Sequence, residues 1–200
     1  MSKNLPMFVL LTKGVRDMTN PSFEYYCRYL KGDEDALEGL VKSCSNALIR
    51  FAYCYVPDST AAEEIMEDAI VALIMKRKQL DNEASFRNYL FKITRNMAID
   101  HLRKWRRSVA LEDVQNILLT EDMETSYSRR ESNELIYIQM QSLPEQYRQI
   151  LHLTYFEEFS LKQASMIMGK SMKQVYNLHA RAKEALKQHL IKEGLNYEEL

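Results

Sequence analysis

Glycine and proline are scarce in this chain, with five and four among 200 residues. Both residues interrupt regular backbone, so their scarcity permits long uninterrupted helices. Apolar residues recur with a period of about 3.6 over long stretches, which is the spacing of one helix face. Hydrophobic residues make up 46% of the chain, an ordinary share for a protein with a buried core. The sequence therefore predicts an all-α protein.

Motifs for metal binding, catalysis and membrane insertion are also missing. Cys27, Cys44 and Cys54 form no CxxC pair, and the four histidines are widely scattered, so the close ligand spacing of a zinc site is absent. The sequence has no phosphate-binding glycine loop and no nucleophile elbow. No apolar run approaches the roughly 20 residues that span a membrane. We expect reduced thiols in a cytoplasmic protein with no cofactor, no catalytic residues and no membrane insertion.

The formal net charge of −1 conceals a strong segregation of charge along the chain. A predicted helix from Thr60 to about Leu80 is acidic on its outer face, and the next predicted helix, from Ser85, is basic. We expect Asp33, Thr60 and Ser85 to cap successive helices. The acidic positions are Glu63, Glu64, Glu67 and Asp68; the basic and aromatic ones are Tyr89, Phe91, Lys92, Arg95, Arg103, Trp105, Arg106 and Arg107.

Two interpretations of the basic helix stay open. One is a solvated charged face with core aromatics beneath it. The other is a surface for single-stranded nucleic acid, because cations attract phosphates and planar side chains stack on bases. From Ser108 to about Gln141 the charge balance is acidic again, and we interpret this segment as a linker between two helical domains.

The C-terminal part has the layout of a helix-turn-helix. Ser142 and Pro144 are predicted to open one helix, and a second begins at Ser160 and ends at Gly169. A longer third helix, capped by Ser171, follows and is rich in lysine. In this motif the last helix lies in the DNA major groove.

Outward-facing residues of the last helix are candidates for base contacts, and nearby lysines are candidates for phosphate contacts. Three methionines beside them are interpreted as core residues, since methionine commonly fills gaps in apolar cores. The base candidates are Lys173, Gln174, Tyr176, Asn177, His179 and Arg181; the phosphate candidates are Lys162, Lys170 and Lys183; the methionines are Met166, Met168 and Met172.

Two stretches resemble the sigma-70 family of bacterial RNA polymerase sigma factors, in particular its extracytoplasmic-function (ECF) group. The string SFRNYLFKITRNMAIDHLRKWRR at 85–107 is similar to region 2, and LPEQYR at 143–148 with GKSMKQVYN at 169–177 is similar to region 4. The resemblance implies two small helical domains joined by an acidic linker. We expect a leader at 1–20 that is a candidate for disorder, a region 2-like domain at 21–107, the linker at 108–135, a region 4-like domain at 136–192 and a tail at 193–200. Met1 and Met18 both stay open as the start.

The resemblance also implies a function: an alternative sigma factor that binds core RNA polymerase, recognises the −10 and −35 promoter elements and promotes DNA melting. Its partners would be promoter DNA, the clamp helices and flap of the polymerase and, as a further candidate, an anti-sigma factor. The implied clamp contacts are Glu64, Glu67 and Asp68. The implied −10 contacts are Asp81, Asn82, Lys92, Arg95, Asn96, Arg103, Arg106 and Arg107; the implied −35 contacts are Lys162, Lys170, Ser171, Lys173, Gln174, Tyr176, Asn177, Arg181 and Lys183.

Three other classes of function account for the sequence less well than a sigma factor does. A self-sufficient helix-turn-helix regulator accounts for the C-terminal helices but leaves the basic helix and the acidic linker without a role. An enzyme is disfavoured by the missing motifs. A protein adaptor, whose basic helices bind acidic partners, would not show salt-sensitive binding to forked promoter DNA.

Overall fold

The computed structural model describes residues 21–109 and 139–192, and all regular structure within those ranges is helical. The chain divides into two compact units, one within Thr19–Glu124 and one that contains Thr125–Leu200. An all-α fold with two helical domains is thereby confirmed. The exact domain boundaries stay predictions. The leader, most of the linker and the tail lie outside the described residues.

Four helices form the described part of the N-terminal unit, residues 21–109: α1 at Ser22–Leu30, α2 at Ala36–Tyr53, α3 at Ser59–Lys76 and α4 at Glu83–Val109. Helix α2 packs against each of the other three, and α3 packs along α4. The largest fully buried side chains, which define the core, are Tyr26, Leu40, Leu48, Phe51, Ile65, Leu73, Phe86 and Leu90.

Aromatic contacts join the ends of this bundle. The Phe86 ring lies 5.7 Å from the ring of Phe23 and 5.2 Å from that of Tyr26, so the start of α4 is fixed against α1. The rings of Phe51 and Phe91 lie 5.1 Å apart and join α2 to α4. Helices α1 and α2 approach closely at Gly39, where an added Cβ would lie 2.6 Å from Cε1 of Tyr25. A larger residue at this position would require the Tyr25 ring to shift.

Three predicted helix caps in the N-terminal unit are wrong. Helix α3 is capped by Asp58, whose Oδ1 accepts a hydrogen bond from the Ala61 N–H at 2.7 Å, because Asp58 is the last extended residue before the helix and Thr60 already lies inside it. Helix α4 is capped by Asn82, whose Oδ1 accepts from the Ser85 N–H at 2.9 Å. The Asp33 carboxylate pairs with Arg28 at 2.7 Å instead of capping α2.

The C-terminal unit contains α5 at Glu145–Leu151, which continues as a π-helical segment at His152–Phe156, then α6 at Leu161–Met168 and α7 at Met172–Lys192. Helix α7 packs against both α5 and α6. The core of this unit includes Met140, Ile150, Leu151, Leu153, Ile167, Met168, Val175, Ala182, Leu186 and Leu190.

The predicted turn between α6 and α7 is confirmed. Ser160 and Gln163 form a capping box at the start of α6, and Gly169 ends that helix with a left-handed φ of 64°. The Ser171 hydroxyl accepts from the Gln174 N–H at 3.3 Å at the start of α7. The opening of α5 differs from the prediction, since Ser142 donates to the Gln139 carbonyl oxygen and caps nothing.

The corrected cap of α3 gives a stability test. Replacing Asp58 with Ala removes the hydrogen bond to the Ala61 N–H and is expected to cost about 1 kcal/mol. Thr60→Ala is the matched control and should change the free energy of unfolding by less than about 0.5 kcal/mol. Urea unfolding of the full chain, followed by far-UV circular dichroism, measures both. Equal losses, or a larger loss for Thr60→Ala, would contradict the assignment.

Candidate polymerase and nucleic-acid interfaces

An acidic and apolar strip runs along the exposed side of α3. Ile65, Ala69 and Leu73 are buried, and their spacing turns Glu64, Glu67 and Asp68 towards solvent, as predicted. The strip continues with two residues that the sequence analysis missed. They are Val71, which is 53% exposed, and Met75, which is 77% exposed. Because these two follow Glu67 at successive four-residue steps, they lie on the same side of the helix.

The turn between α3 and α4 is held by side chains of α1. Arg77 has a left-handed φ of 42°, its guanidinium lies 5.1 Å from the centre of the Tyr29 ring, and it donates to the Leu30 carbonyl oxygen at 3.3 Å. The Tyr26 hydroxyl donates to the Lys78 carbonyl oxygen at 2.7 Å. Burial, the largest cause, raises the pKa of Tyr26 to about 12.

Two predicted −10 residues lie at the end of this turn. Asp81 is exposed. Asn82 is exposed too, but its side-chain oxygen is engaged as the cap of α4, which gives it a structural role besides any contact with DNA. The geometry therefore brings Asp81 and the start of α4 together at one end of the unit.

Helix α4 changes from a core helix to a solvated basic helix along its length. Its last buried residue among those whose side chains are described is Ala98. Beyond it Trp105 is 43% exposed, whereas Phe91 belongs to the core and Tyr89 is half-buried beneath the Lys78 ammonium at 4.7 Å. The interpretation of Phe91 as a base-stacking residue is therefore wrong.

The predicted basic residues of α4 lie mostly in solvent. Arg103 pairs with Asp100 at 2.9 Å, and Arg95 donates to the Asn96 side chain at 3.3 Å, so both guanidiniums are oriented by helix neighbours. The side chain of Arg106 lies outside the described residues. The exposed positions are Lys92, Asn96, Arg103, Lys104 and Arg107, and Arg95 is half-buried.

The helix-turn-helix presents most of its predicted contact residues to solvent. Lys162, Ser171, Lys173, Gln174, Tyr176, Asn177, Arg181 and Lys183 are exposed, and Lys170 is half-buried. Two methionines interpreted as core, Met166 and Met172, are instead about half exposed, and only Met168 is buried. Val175 and Ala182 are buried where α7 packs against the rest of the unit. This packing orients α7 so that the neighbouring positions face solvent.

Two of the polar candidates have structural tasks. The Gln174 side chain accepts from the Ser171 N–H at 2.9 Å, and the pair forms a reciprocal cap at the start of α7. His179 is half-buried, with its ring 5.8 Å from that of Tyr155. Burial, and to a smaller extent the Lys183 ammonium, lowers the pKa of His179 below its ordinary value of 6.5. At neutral pH His179 is therefore an uncharged packing residue.

Family models match both units. Residues 40–108, which cover most of α2 and all of α3, match Sigma-70 region 2. Residues 134–186, which include α5, α6 and most of α7, match Sigma-70 region 4. This chain belongs to the sigma-70 family. The predicted resemblance and the assignment to the ECF group are confirmed.

Known sigma factors are similar to the chain over most of its length. It is 28% identical to the ECF RNA polymerase sigma factor SigM of Bacillus subtilis over 154 residues, which cover 76% of this chain and 93% of SigM. It is 29% identical to the RNA polymerase sigma factor NccH of Alcaligenes xylosoxydans over 178 residues, 84% of this chain and 95% of NccH.

Two solved structures share the fold. The sigma factor RpoE of Bartonella quintana, crystallised with the anti-sigma factor NepR, has a TM-score of 0.64 at 21% identity, over 75% of this chain and 93% of RpoE. CnrH, in complex with the cytosolic domain of CnrY, has a TM-score of 0.58 at 22% identity, over 87% of this chain and 99% of CnrH. Within 21–109 and 139–192, no helix of this chain is long and apolar enough to cross a membrane.

The packing of His179 gives a pH-dependent prediction. Because its folded-state pKa is below the unfolded value, His179 contributes stability above pH 6.5 that is lost as the pH falls through its folded-state pKa. An NMR titration of the histidine ring signals should place the His179 midpoint below 6.5. In Lys183→Gln the midpoint should rise only in part, because burial is the larger cause. A wild-type midpoint at or above 6.5 would show that the ring is not packed as described.

Proposed function

We propose that this chain is an alternative sigma factor that binds core RNA polymerase, recognises −10 and −35 promoter elements and promotes DNA melting. The observation that carries the proposal is the presence, in one sigma-70 family chain, of three separate exposed surfaces, one acidic and two basic. These are the strip on α3, the basic half of α4 and the basic start of α7. A DNA-binding regulator needs only the last of them.

The strip on α3 is suited to a basic and partly apolar protein surface. Glu64, Glu67 and Asp68 supply the charge, while Val71 and Met75 supply apolar area that is unusual in solvent. We assign this strip to the clamp helices of the polymerase's largest subunit. The flap of the polymerase is the second proposed contact, and an anti-sigma factor is a further proposed partner.

The basic half of α4 is suited to single-stranded −10 DNA. Arg103 and Arg107 attract phosphates, as do Lys92 and Arg95 two to three turns earlier on the helix, and Trp105 offers an aromatic face on which an extruded base can stack. Capture of unstacked bases lowers the cost of opening the duplex, which is how a protein with no catalytic residues promotes melting. In this proposal the region 2-like domain at 21–107 performs that step.

The helix-turn-helix is suited to duplex DNA at the −35 element. Helix α7 places Lys173, Tyr176 and Asn177 outward near its N-terminal end, the end that enters the major groove in this motif. Lys162, Lys170 and Lys183 are proposed to contact phosphates. The region 4-like domain at 136–192 thereby anchors polymerase upstream of the opened DNA. Because the partner is RNA polymerase, the proposed location is the cytoplasm.

Run-off transcription tests the function. Purified full-length chain and core polymerase are incubated with genomic fragments, and new transcripts with defined start sites are expected only when both are present. A gel-shift assay with and without core distinguishes a sigma factor from a self-sufficient regulator. The regulator would bind duplex DNA tightly without core, whereas the sigma factor would need core. Failure to stimulate any promoter, together with failure to retain core in a pull-down, would refute the proposal.

The strip on α3 gives a quantitative prediction. Reversing two charges in Glu67→Lys and Asp68→Lys together should weaken core binding at least tenfold, because like charges would then face the proposed basic partner. The fold should persist, since both side chains are exposed. The matched control reverses Glu34 and Asp35, which are also exposed, and should bind core normally. Fluorescence anisotropy of labelled chain with core measures both affinities; similar affinities for the two double variants would contradict the assignment.

A further inference from the structure

Helix α7 exposes two large apolar side chains among its cations. Met172 is 48% exposed and Tyr176 is 65% exposed. They are four residues apart and therefore neighbours on one side of the helix. Solvent-exposed apolar side chains that adjoin each other at a functional surface usually have a binding partner.

The charges around this pair favour nucleic acid as the partner. Lys173 and Lys183 are exposed near the side of the helix that carries the pair, and the first carboxylate of the helix is Glu184. A surface with cations beside an apolar pair matches DNA, whose phosphates flank the groove and whose base edges form its floor. An apolar protein groove would leave these cations without opposite charges.

One polar side chain at the start of α7 is engaged within the protein. The Gln174 side chain is bound to the Ser171 N–H at 2.9 Å, so it is engaged in capping the helix. Asn177 is exposed and lies next to Tyr176 in sequence. The start of α7 therefore presents the two large apolar side chains beside the exposed polar side chains of Lys173 and Asn177.

We propose that Met172 and Tyr176 recognise the 5-methyl groups of thymine in the major groove of the −35 duplex. The thymine methyl is the one apolar group that a standard base pair presents in that groove, so an apolar pair of side chains selects A·T pairs through it. This inference rests on the proposed function of α7. It adds the chemistry by which the helix distinguishes one promoter from another.

The test compares thymine with deoxyuridine, which lacks only the methyl group. Duplexes with a randomised segment are first selected for binding to the full chain in complex with core polymerase. The enriched duplex is then synthesised with each conserved thymine replaced by deoxyuridine. Wild-type affinity should fall about fourfold for each methyl that Met172 or Tyr176 contacts, which is the effect of burying one such group.

Variants of α7 assign the methyl effect to the two side chains. Met172→Ala and Tyr176→Ala should each bind the thymine and deoxyuridine duplexes with more nearly equal affinity. Tyr176→Phe should keep the methyl preference, because it keeps the ring. Ile191→Ala is the matched control: Ile191 is also a half-exposed apolar residue of α7, but it lies at the other end of the helix.

The outcomes separate this inference from the function on which it rests. If selection enriches no duplex, both the proposed function and the inference are overturned. If a duplex is enriched but binds equally well with deoxyuridine at every position, only the inference is overturned. It is also overturned if Met172→Ala and Tyr176→Ala leave DNA affinity unchanged and weaken binding to core polymerase, since the pair would then be a protein contact.

Discussion

The buried N-terminal half of α4 is the constraint on which the N-terminal unit depends. Phe86 is fully buried against the α1 rings of Phe23 and Tyr26, Leu90 is buried one turn further along, and Phe91 packs against Phe51 of α2. Each such side chain contributes about 1.5–3 kcal/mol through burial. The helix has 27 residues and extends about 40 Å. Its well-packed N-terminal half can therefore position the C-terminal half, which extends into solvent. The basic residues beyond Ala98 are consequently positioned by the helix itself and not by buried contacts around them.

The same constraint fixes the turn that precedes α4. The left-handed backbone of Arg77 costs about 1–2 kcal/mol for a residue with a side chain. Its contacts with Tyr29 and Leu30, together with the bond from Tyr26 to the Lys78 carbonyl oxygen, offset that cost. Helix α1 lies outside the matched region 2 segment, yet it supplies these contacts. Thus the position of Asp81 depends on residues outside the matched region 2 segment.

The helices and their faces could be predicted from the sequence, and the details of the surface could not. Apolar periodicity identified α3 and its acidic face because burial alone sets that pattern. The caps at Thr60 and Ser85 were wrong because several residues near each boundary can cap, and only the backbone path selects Asp58 and Asn82. The exposure of Met172 and Val71 was missed because the sequence does not distinguish an apolar residue that packs in the core from one that faces solvent. The −10 and −35 residues stay predictions, since binding depends on DNA as well as on this chain.

We propose that the solvated half of α4 captures opened promoter DNA while α7 holds the duplex upstream. Permanganate reactivity of promoter thymines, measured in complexes of core polymerase with the full chain, tests it most directly. Wild-type chain should make thymines of the −10 element reactive. A variant with Arg103→Ala, Trp105→Ala and Arg107→Ala should retain −35 protection and lose that reactivity. Equal reactivity in the variant and the wild type would contradict the account.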